Sequence, residues 1–171
     1  MKASQGITMV AGCFLATAAL CASQDLDFAR HAASGGLTEV TLGKLALSHG
    51  ERAEVKSFGQ RMVQDHSQAN DQLMTIATRE ALKLPTKPLS QDQAVIDRLS
   101  KLHGPAFDQA YSRAMLKDHR STVALFEQET WDGSDNQLKA FASSTLPTLK
   151  EHLQMAQHLP GVSSTLAVTG P

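Results

Sequence analysis

The stretch "VKSFGQRMVQDHSQANDQLMTI", residues 55–76, decides the fold of this chain. Its apolar residues recur every three or four positions, which is the spacing of the buried face of an α-helix in a bundle. That face consists of Val55, Phe58, Met62, His66, Ala69, Leu73 and Ile76. The stretch therefore predicts a long amphipathic helix that carries one histidine among its buried residues.

Three other segments have the same periodicity, and each again carries one ionisable residue on its apolar face. The four predicted helices cover about residues 25–48, 51–82, 105–131 and 135–159, and their ionisable residues are Glu39, His66, His119 and His152. A shorter helix over about residues 91–102 lies between the second and the third. Four amphipathic helices of this length predict an all-α four-helix bundle over residues 25–159. The connection of roughly twenty residues is compatible with either an up-down-up-down bundle or one long crossover.

The chain has almost no net charge. Its 171 residues include 16 Lys and Arg against 17 Asp and Glu. A protein that binds nucleic acid through phosphate neutralisation needs a basic surface, so we expect no nucleic-acid partner. The length suits a single domain, and the composition indicates no oligomeric state.

The N-terminal segment "MKASQGITMVAGCFLATAALCASQ", residues 1–24, resembles a secretory signal. One Lys precedes an apolar run that ends in small residues, so we predict a cleavable signal peptide over residues 1–22 and export to the periplasm. "VAGC" at residues 10–13 is similar to a lipoprotein box, but apolar residues continue past Cys13, and we favour simple cleavage over lipid anchoring. Both cysteines, Cys13 and Cys21, fall in this segment. Residues 160–171 have no periodicity and are predicted to be a flexible tail.

The phrases "MVQDH" at residues 62–66 and "MLKDH" at residues 115–119 repeat one pattern on two helices. Met62 and Met115 precede their histidines by one turn, and Met155 follows His152 by one turn, so each pair shares a helix face. Imidazole with thioether suits copper, whereas imidazole with Glu39 suits zinc or iron. A di-iron bundle needs Glu-x-x-His motifs, and the chain has none. Glu39, His66, His119 and His152 are therefore predicted metal ligands.

Acidic residues directly precede the three histidines. A helix turns about 100° per residue, so Asp65, Asp118 and Glu151 point away from their own histidines and could orient a histidine of a neighbouring helix. The predicted auxiliary residues are Met62, Met115, Met155, Asp65, Asp118, Glu151 and Tyr111, the last lying one turn before Met115.

Three functions are compatible with this polar layer. The first is a binding or stress-related protein that holds copper, zinc or iron without catalysing a reaction. The second is a structural or interaction protein of the envelope, in which buried polar residues only fix the register of the helices. The third, an oxidoreductase with a metal centre, is the least favoured.

Four stretches resemble one known family: "FARHAASGGLTEVTLGKLAL", "VKSFGQRMVQDHSQANDQL", "LSKLHGPAFDQAYSRAMLKDH" and "LPTLKEHLQMAQHL". They are similar to the domain of unknown function 4142 family, exported bacterial proteins often labelled outer membrane proteins. The resemblance covers about residues 25–159 and implies a ferritin-like bundle and export, but no activity. The shorter stretch "FGQRMVQDHSQA" is also similar to the domain of unknown function 305 family, whose Met- and His-rich members are linked to copper.

Overall fold

The computed structural model of the chain describes residues 12–162, with side chains from residue 23 onward. Over this range the chain forms helices and no strand, which confirms the all-α prediction. The helices are α1 (Gly12–His49), α2 (Ala53–Arg79), α3 (Ser90–Leu99), α4 (Gly104–Asp132) and α5 (Asn136–Gln157). None of the described helices is both long and apolar enough to cross a membrane.

Helix α1 differs most from its prediction, because it begins at Gly12 rather than near residue 25. It thus continues into the segment predicted to be a leader, of which residues 1–11 lie outside the described residues. The signal peptide and its cleavage stay predictions. Most of the predicted tail, residues 163–171, also lies outside the described part of the chain. At the other boundaries the differences are small: α2 ends before Leu82 because Ala81 adopts a positive φ of 53°.

Hydrogen bonds at the two ends of the bundle fix its topology. The Asp108 carboxylate, near the start of α4, accepts bonds of 3.0 Å from the backbone N–H groups of Glu51 and Arg52, just before α2. At the opposite end, Asp25 in α1 accepts a 2.9 Å bond from the backbone N–H of Ser134, between α4 and α5. Helices α2 and α4 therefore start at the same end and run parallel. This is the one-long-crossover topology of ferritin-like bundles.

The crossover returns along the length of α1. The Leu89 backbone N–H donates a 2.8 Å bond to Ser34 Oγ near the middle of α1. Further on, His49 Nδ1 lies 2.8 Å from the carbonyl oxygen of Leu102 at the end of α1. Between these points α3 packs Ile96 and Leu99 into the core.

Two apolar clusters fill the interior. The Phe58 cluster consists of Leu42, Ala46, Val55, Phe58, Met62, Ile96, Leu99, Phe107, Tyr111, Met115, Ala156 and Leu159. The Phe28 cluster consists of Phe28, Ala29, Ala33, Leu73, Val123, Phe126, Leu138, Phe141, Ala142 and Leu149. On each long helix the predicted ionisable residue lies between the segments that enter the two clusters. The bundle is thus apolar at both ends and polar in its middle layer.

Helices α1 and α2 approach each other closely on the side of this layer where the Phe58 cluster lies. A Cβ atom placed on Gly59 would lie 2.5 Å from Ala46 Cβ and 2.8 Å from the backbone oxygen of Gly43. Real Cβ atoms do not come so near to other atoms, so a side chain at Gly59 would push the two helices apart. The glycines therefore permit the helix spacing that brings the middle layer together.

Candidate metal centre

Three of the four predicted ligands converge in the middle layer. The ring centroids of His66 and His152 are 5.4 Å apart, those of His119 and His152 are 5.5 Å apart, and those of His66 and His119 are 6.0 Å apart. One nitrogen of each ring lies within 4.8 Å of one nitrogen of each other ring. The three side chains come from α2, α4 and α5, and they are 8 %, 1 % and 1 % exposed for His66, His119 and His152.

His119 is held by its own helix. Its Nδ1 lies 2.9 Å from the carbonyl oxygen of Met115, one turn earlier. A carbonyl oxygen can only accept, so Nδ1 carries the hydrogen and Nε2 keeps its lone pair. That Nε2 is buried and has no hydrogen-bond partner among the described residues.

His152 is held by a neighbouring helix. Its Nε2 lies 2.8 Å from Asp65 Oδ2, and the carboxylate also accepts a hydrogen bond from Arg61. Asp65 thus orients the histidine of α5 rather than His66 beside it in sequence. The remaining nitrogen, His152 Nδ1, is buried and without a partner in the described part of the structure. A histidine that donates one N–H to a carboxylate and presents its other nitrogen is the usual arrangement of a metal ligand.

His66 completes the set with a buried Nε2 that also finds no hydrogen-bond partner within residues 23–162. Each of the three histidines therefore offers one unused nitrogen in the same layer. Leaving a buried polar atom unpaired costs ~1–3 kcal/mol. Three such atoms in one buried layer would be stabilised by a common partner.

The interior keeps these imidazoles uncharged. Burial lowers the pKa of His66 from 6.5 to about 3, with a further contribution from His119 and His152. Burial likewise lowers the pKa of His119 to about 4. Burial also lowers the pKa of His152, although the bond to Asp65 acts in the opposite direction. At neutral pH all three rings thus present lone pairs, which a metal ion requires.

Glu39 does not join the three histidines, contrary to the prediction of a four-residue site. Its Oε1 lies 3.9 Å from His119 Nδ1, the nitrogen that bonds to Met115 rather than the unused one. Glu39 instead groups with Asp118 and His119, whose potential ligand atoms lie within 4.8 Å of one another. Burial raises the pKa of Glu39 well above its ordinary value, and the nearby Asp118 carboxylate raises it further. Glu39 and Asp118 therefore form an acidic pair on the far side of the His119 ring.

Apart from Asp65 and Asp118, the predicted auxiliary residues fall into two groups. Met62, Met115 and Tyr111 are buried, at 0 %, 1 % and 0 % exposure, and belong to the Phe58 cluster. Met155, by contrast, is 39 % exposed. The Glu151 side chain is 65 % exposed and lies 3.6 Å from Arg61. Both face outward because the turn of α5 that buries His152 carries them to the solvent side, so they do not serve as auxiliaries of the buried centre.

Sequence reasoning overlooked two residues that shape the site. The Phe58 ring lies 5.9 Å from the His119 ring and 6.5 Å from the His152 ring, each at a steep angle, so it supports both imidazoles from the apolar side. Arg61 binds Asp65 one turn along α2. Burial alone would raise the pKa of Asp65, but its hydrogen bonds from Arg61 and His152 lower it. The spacing of Arg61 and Asp65 by four residues was the available signal.

The geometry suits one transition-metal ion. Zinc binds imidazole nitrogens at about 2.0–2.1 Å, which places three such nitrogens roughly 3.3–3.6 Å apart. One nitrogen of each ring lies within 4.8 Å of the others, so the rings need to approach by at most about 1.5 Å to bind a common ion. A cavity of about 30 Å³ borders His66, and this volume can hold one water molecule.

The comparisons with known proteins agree with this architecture. Residues 14–159 match the family model of the domain of unknown function DUF4142. The chain belongs to the DUF4142 family. This DUF4142 protein is also similar in fold to the crystal structure of a DUF305 fragment from Deinococcus radiodurans. The identity is 16 %, the TM-score is 0.67, and the match covers 78 % of this chain and 93 % of that chain. No curated protein matches significantly.

Proposed function

We propose that this DUF4142 protein binds one transition-metal ion, zinc or copper, through His66, His119 and His152. The observation that carries the proposal is the set of three buried ring nitrogens that have no hydrogen-bond partner among residues 23–162. A polar layer that only set helix register would be expected to pair its members with one another. Here each imidazole leaves one buried nitrogen unused.

The electrostatics favour the same conclusion. At neutral pH His66 and His119 do not have to lose a proton before they bind a metal ion, because burial lowers their pKa values to about 3 and about 4. Neutral imidazole suits zinc, copper, iron and nickel. We favour zinc or copper because iron sites in such bundles use carboxylate ligands, and here the Glu39 carboxylate faces His119 Nδ1 rather than the nitrogen that His119 leaves unused.

We further propose a role in binding rather than catalysis, in the periplasm. Three protein ligands leave one position for water or a small ligand, and the adjoining cavity is only about 30 Å³. A space of this size admits water but no substrate of ordinary size. The periplasmic location rests on the predicted signal peptide over residues 1–22.

Titration of the metal-free protein with Zn²⁺ and, under reducing conditions, Cu⁺ tests the proposal. We expect saturation at one ion per chain with at least one of the two metals and a higher melting temperature when the ion is bound. The double variant His66→Ala/His119→Ala should lose this binding. Its matched control is His103→Ala/His158→Ala, which removes two exposed imidazoles and should bind normally.

If the layer only fixes helix register, as in the structural alternative, neither metal will bind stoichiometrically. The melting temperature will then be independent of metal, although the His66→Ala/His119→Ala variant will still melt at a lower temperature. Circular dichroism of both variants shows whether the bundle has formed.

A further inference from the structure

A groove opens beside the acidic pair of Glu39 and Asp118. It has a volume of about 790 Å³ and lies between α1, α3 and α4. Glu39 and Asp118 line it, and Glu39 is 1 % exposed, which places this carboxylate at the inner end of the groove. Exposed cationic side chains, those of Arg98, Arg113 and Lys117, also line the groove.

A second, smaller cavity lies behind the same two acidic residues. It is the cavity of about 30 Å³ that borders His66, and Glu39 and Asp118 line it as well. These two residues are shared between the linings of the groove and the cavity. Glu39 and Asp118 therefore separate the outer groove from the cavity beside a proposed metal ligand.

The Glu39 carboxylate has both oxygens buried and without a hydrogen-bond donor among the described residues. It faces Asp118 and His119, and potential ligand atoms of the three residues lie within 4.8 Å of one another. Two carboxylates at this distance in a protein interior repel each other unless a proton or a cation lies between them. Carboxylate oxygens are ligands that accept a divalent ion together with part of its water shell.

We propose that Glu39 and Asp118 form a separate carboxylate site through which a divalent cation passes from the groove to the three histidines. The inference rests on the proposed function, since it supplies the route to that centre. The ion exchanges its water first for carboxylate oxygens and then for imidazole nitrogens, with no change in oxidation state. His119 stands between the two sites, because its Nδ1 side faces Glu39 at 3.9 Å and its Nε2 is the nitrogen left unused.

The rate of Zn²⁺ uptake tests the route. Metal-free protein is mixed with Zn²⁺ held by a weak coloured chelator, and the colour change is followed by stopped flow. Glu39→Gln and Asp118→Asn keep the side-chain shapes and each replace one carboxyl ligand by an amide, which does not ionise. We expect each to slow uptake by about 10-fold or more, since acidic residues in a cleft raise cation association rates by this order. Release of Zn²⁺ should slow by the same factor, so that the Kd stays within about 3-fold.

Asp97→Asn is the matched control. Asp97 is an exposed acid on α3 that does not line the groove, and its loss should leave the uptake rate unchanged. Stoichiometric binding at the end of each reaction shows that every variant has folded and that the histidine centre is intact.

The outcomes separate the two proposals. Normal uptake rates in Glu39→Gln and Asp118→Asn, with one Zn²⁺ bound per chain, would overturn the carboxylate route and leave the three-histidine site standing. A Kd that weakens as much as the uptake rate falls would make Glu39 a ligand of the histidine centre and would likewise overturn a separate site. An unaltered protein that binds no Zn²⁺ would overturn the carboxylate route, and one that binds neither Zn²⁺ nor Cu⁺ would overturn both proposals.

Discussion

Substitution of Asp65 tests how the proposed metal ligands are oriented, because Asp65 is not itself one of these ligands but forms a hydrogen bond with His152. The bond from His152 Nε2 to Asp65 Oδ2 is 2.8 Å long, and the Asp65 side chain is only 18 % exposed. This bond leaves Nδ1 as the nitrogen that would bind the proposed ion, and it makes the imidazole a stronger electron-pair donor. Loss of such a partner typically weakens metal binding 10–100-fold, or by about 1.4–2.7 kcal/mol.

Two substitutions separate the contribution of the Asp65 charge from that of its hydrogen bond with His152. Asp65→Asn keeps an oxygen that can accept the His152 bond but removes the charge, so we expect a loss of zinc affinity near the lower limit, about 10-fold. Asp65→Ala removes the acceptor altogether and should approach about 100-fold. The affinity is measured at pH 7.5 by competition with a coloured zinc chelator of known Kd.

Glu151→Gln is the control for the loss of a negative charge near Arg61. Glu151 lies 3.6 Å from Arg61, which also binds Asp65, but its side chain is 65 % exposed. Exposed ion pairs contribute little, so zinc affinity should change by less than about 2-fold. Equal affinities for the Asp65→Asn, Asp65→Ala and Glu151→Gln variants would refute the view that Asp65 prepares His152 for the metal.

Three further predictions concern stability, and all are measured on the metal-free protein. The free energy of unfolding should fall as the pH drops from 6.5 towards 4. In the folded protein the pKa values of His66 and His119 are about 3 and about 4, whereas the unfolded chain takes up these protons near pH 6.5. Urea titrations at several pH values measure this fall, and they would show none if these imidazoles were solvated. Glu129→Gln should raise the melting temperature at pH 8 but not at pH 4.5, since burial, with Asp25 adding to it, raises the pKa of Glu129 to about 7; equal effects at both pH values would contradict this. Gly59→Ala should destabilise the bundle by about 1–3 kcal/mol in urea, because the added Cβ meets Ala46 Cβ at 2.5 Å; an unchanged midpoint would show that the helices can separate freely.

The fold could be predicted because its signal is local. Apolar residues at intervals of three and four define each long helix, and a residue such as Asp135 at the start of α5 caps the helix within its own turn, accepting bonds of 2.8 and 2.9 Å from Gln137 N and Leu138 N. The crossover topology could not be predicted in this way. It depends on contacts such as that between Asp108 and Arg52, which join residues far apart in sequence.

The sequence predicts that the four ionisable residues are buried in the middle layer, but it does not predict which of their atoms face one another. Periodicity placed Glu39, His66, His119 and His152 on buried faces, and all four are buried. It could not show on which side of the His119 ring each neighbour lies. Glu39 therefore appeared to be a fourth ligand, although it faces the nitrogen that His119 uses for its own helix. Which imidazole Asp65 orients likewise depends on helix packing, and the structure shows that it is His152.

The X-ray absorption spectrum of the protein loaded with one equivalent of Zn²⁺ tests the central claim most directly. Multiple scattering from imidazole rings counts the histidine ligands without any substitution. We predict three imidazole nitrogens at about 2.0 Å, with one oxygen from water completing the shell. A shell with fewer than three imidazoles, or one dominated by carboxylate oxygens, would contradict the assignment of His66, His119 and His152 as the metal centre.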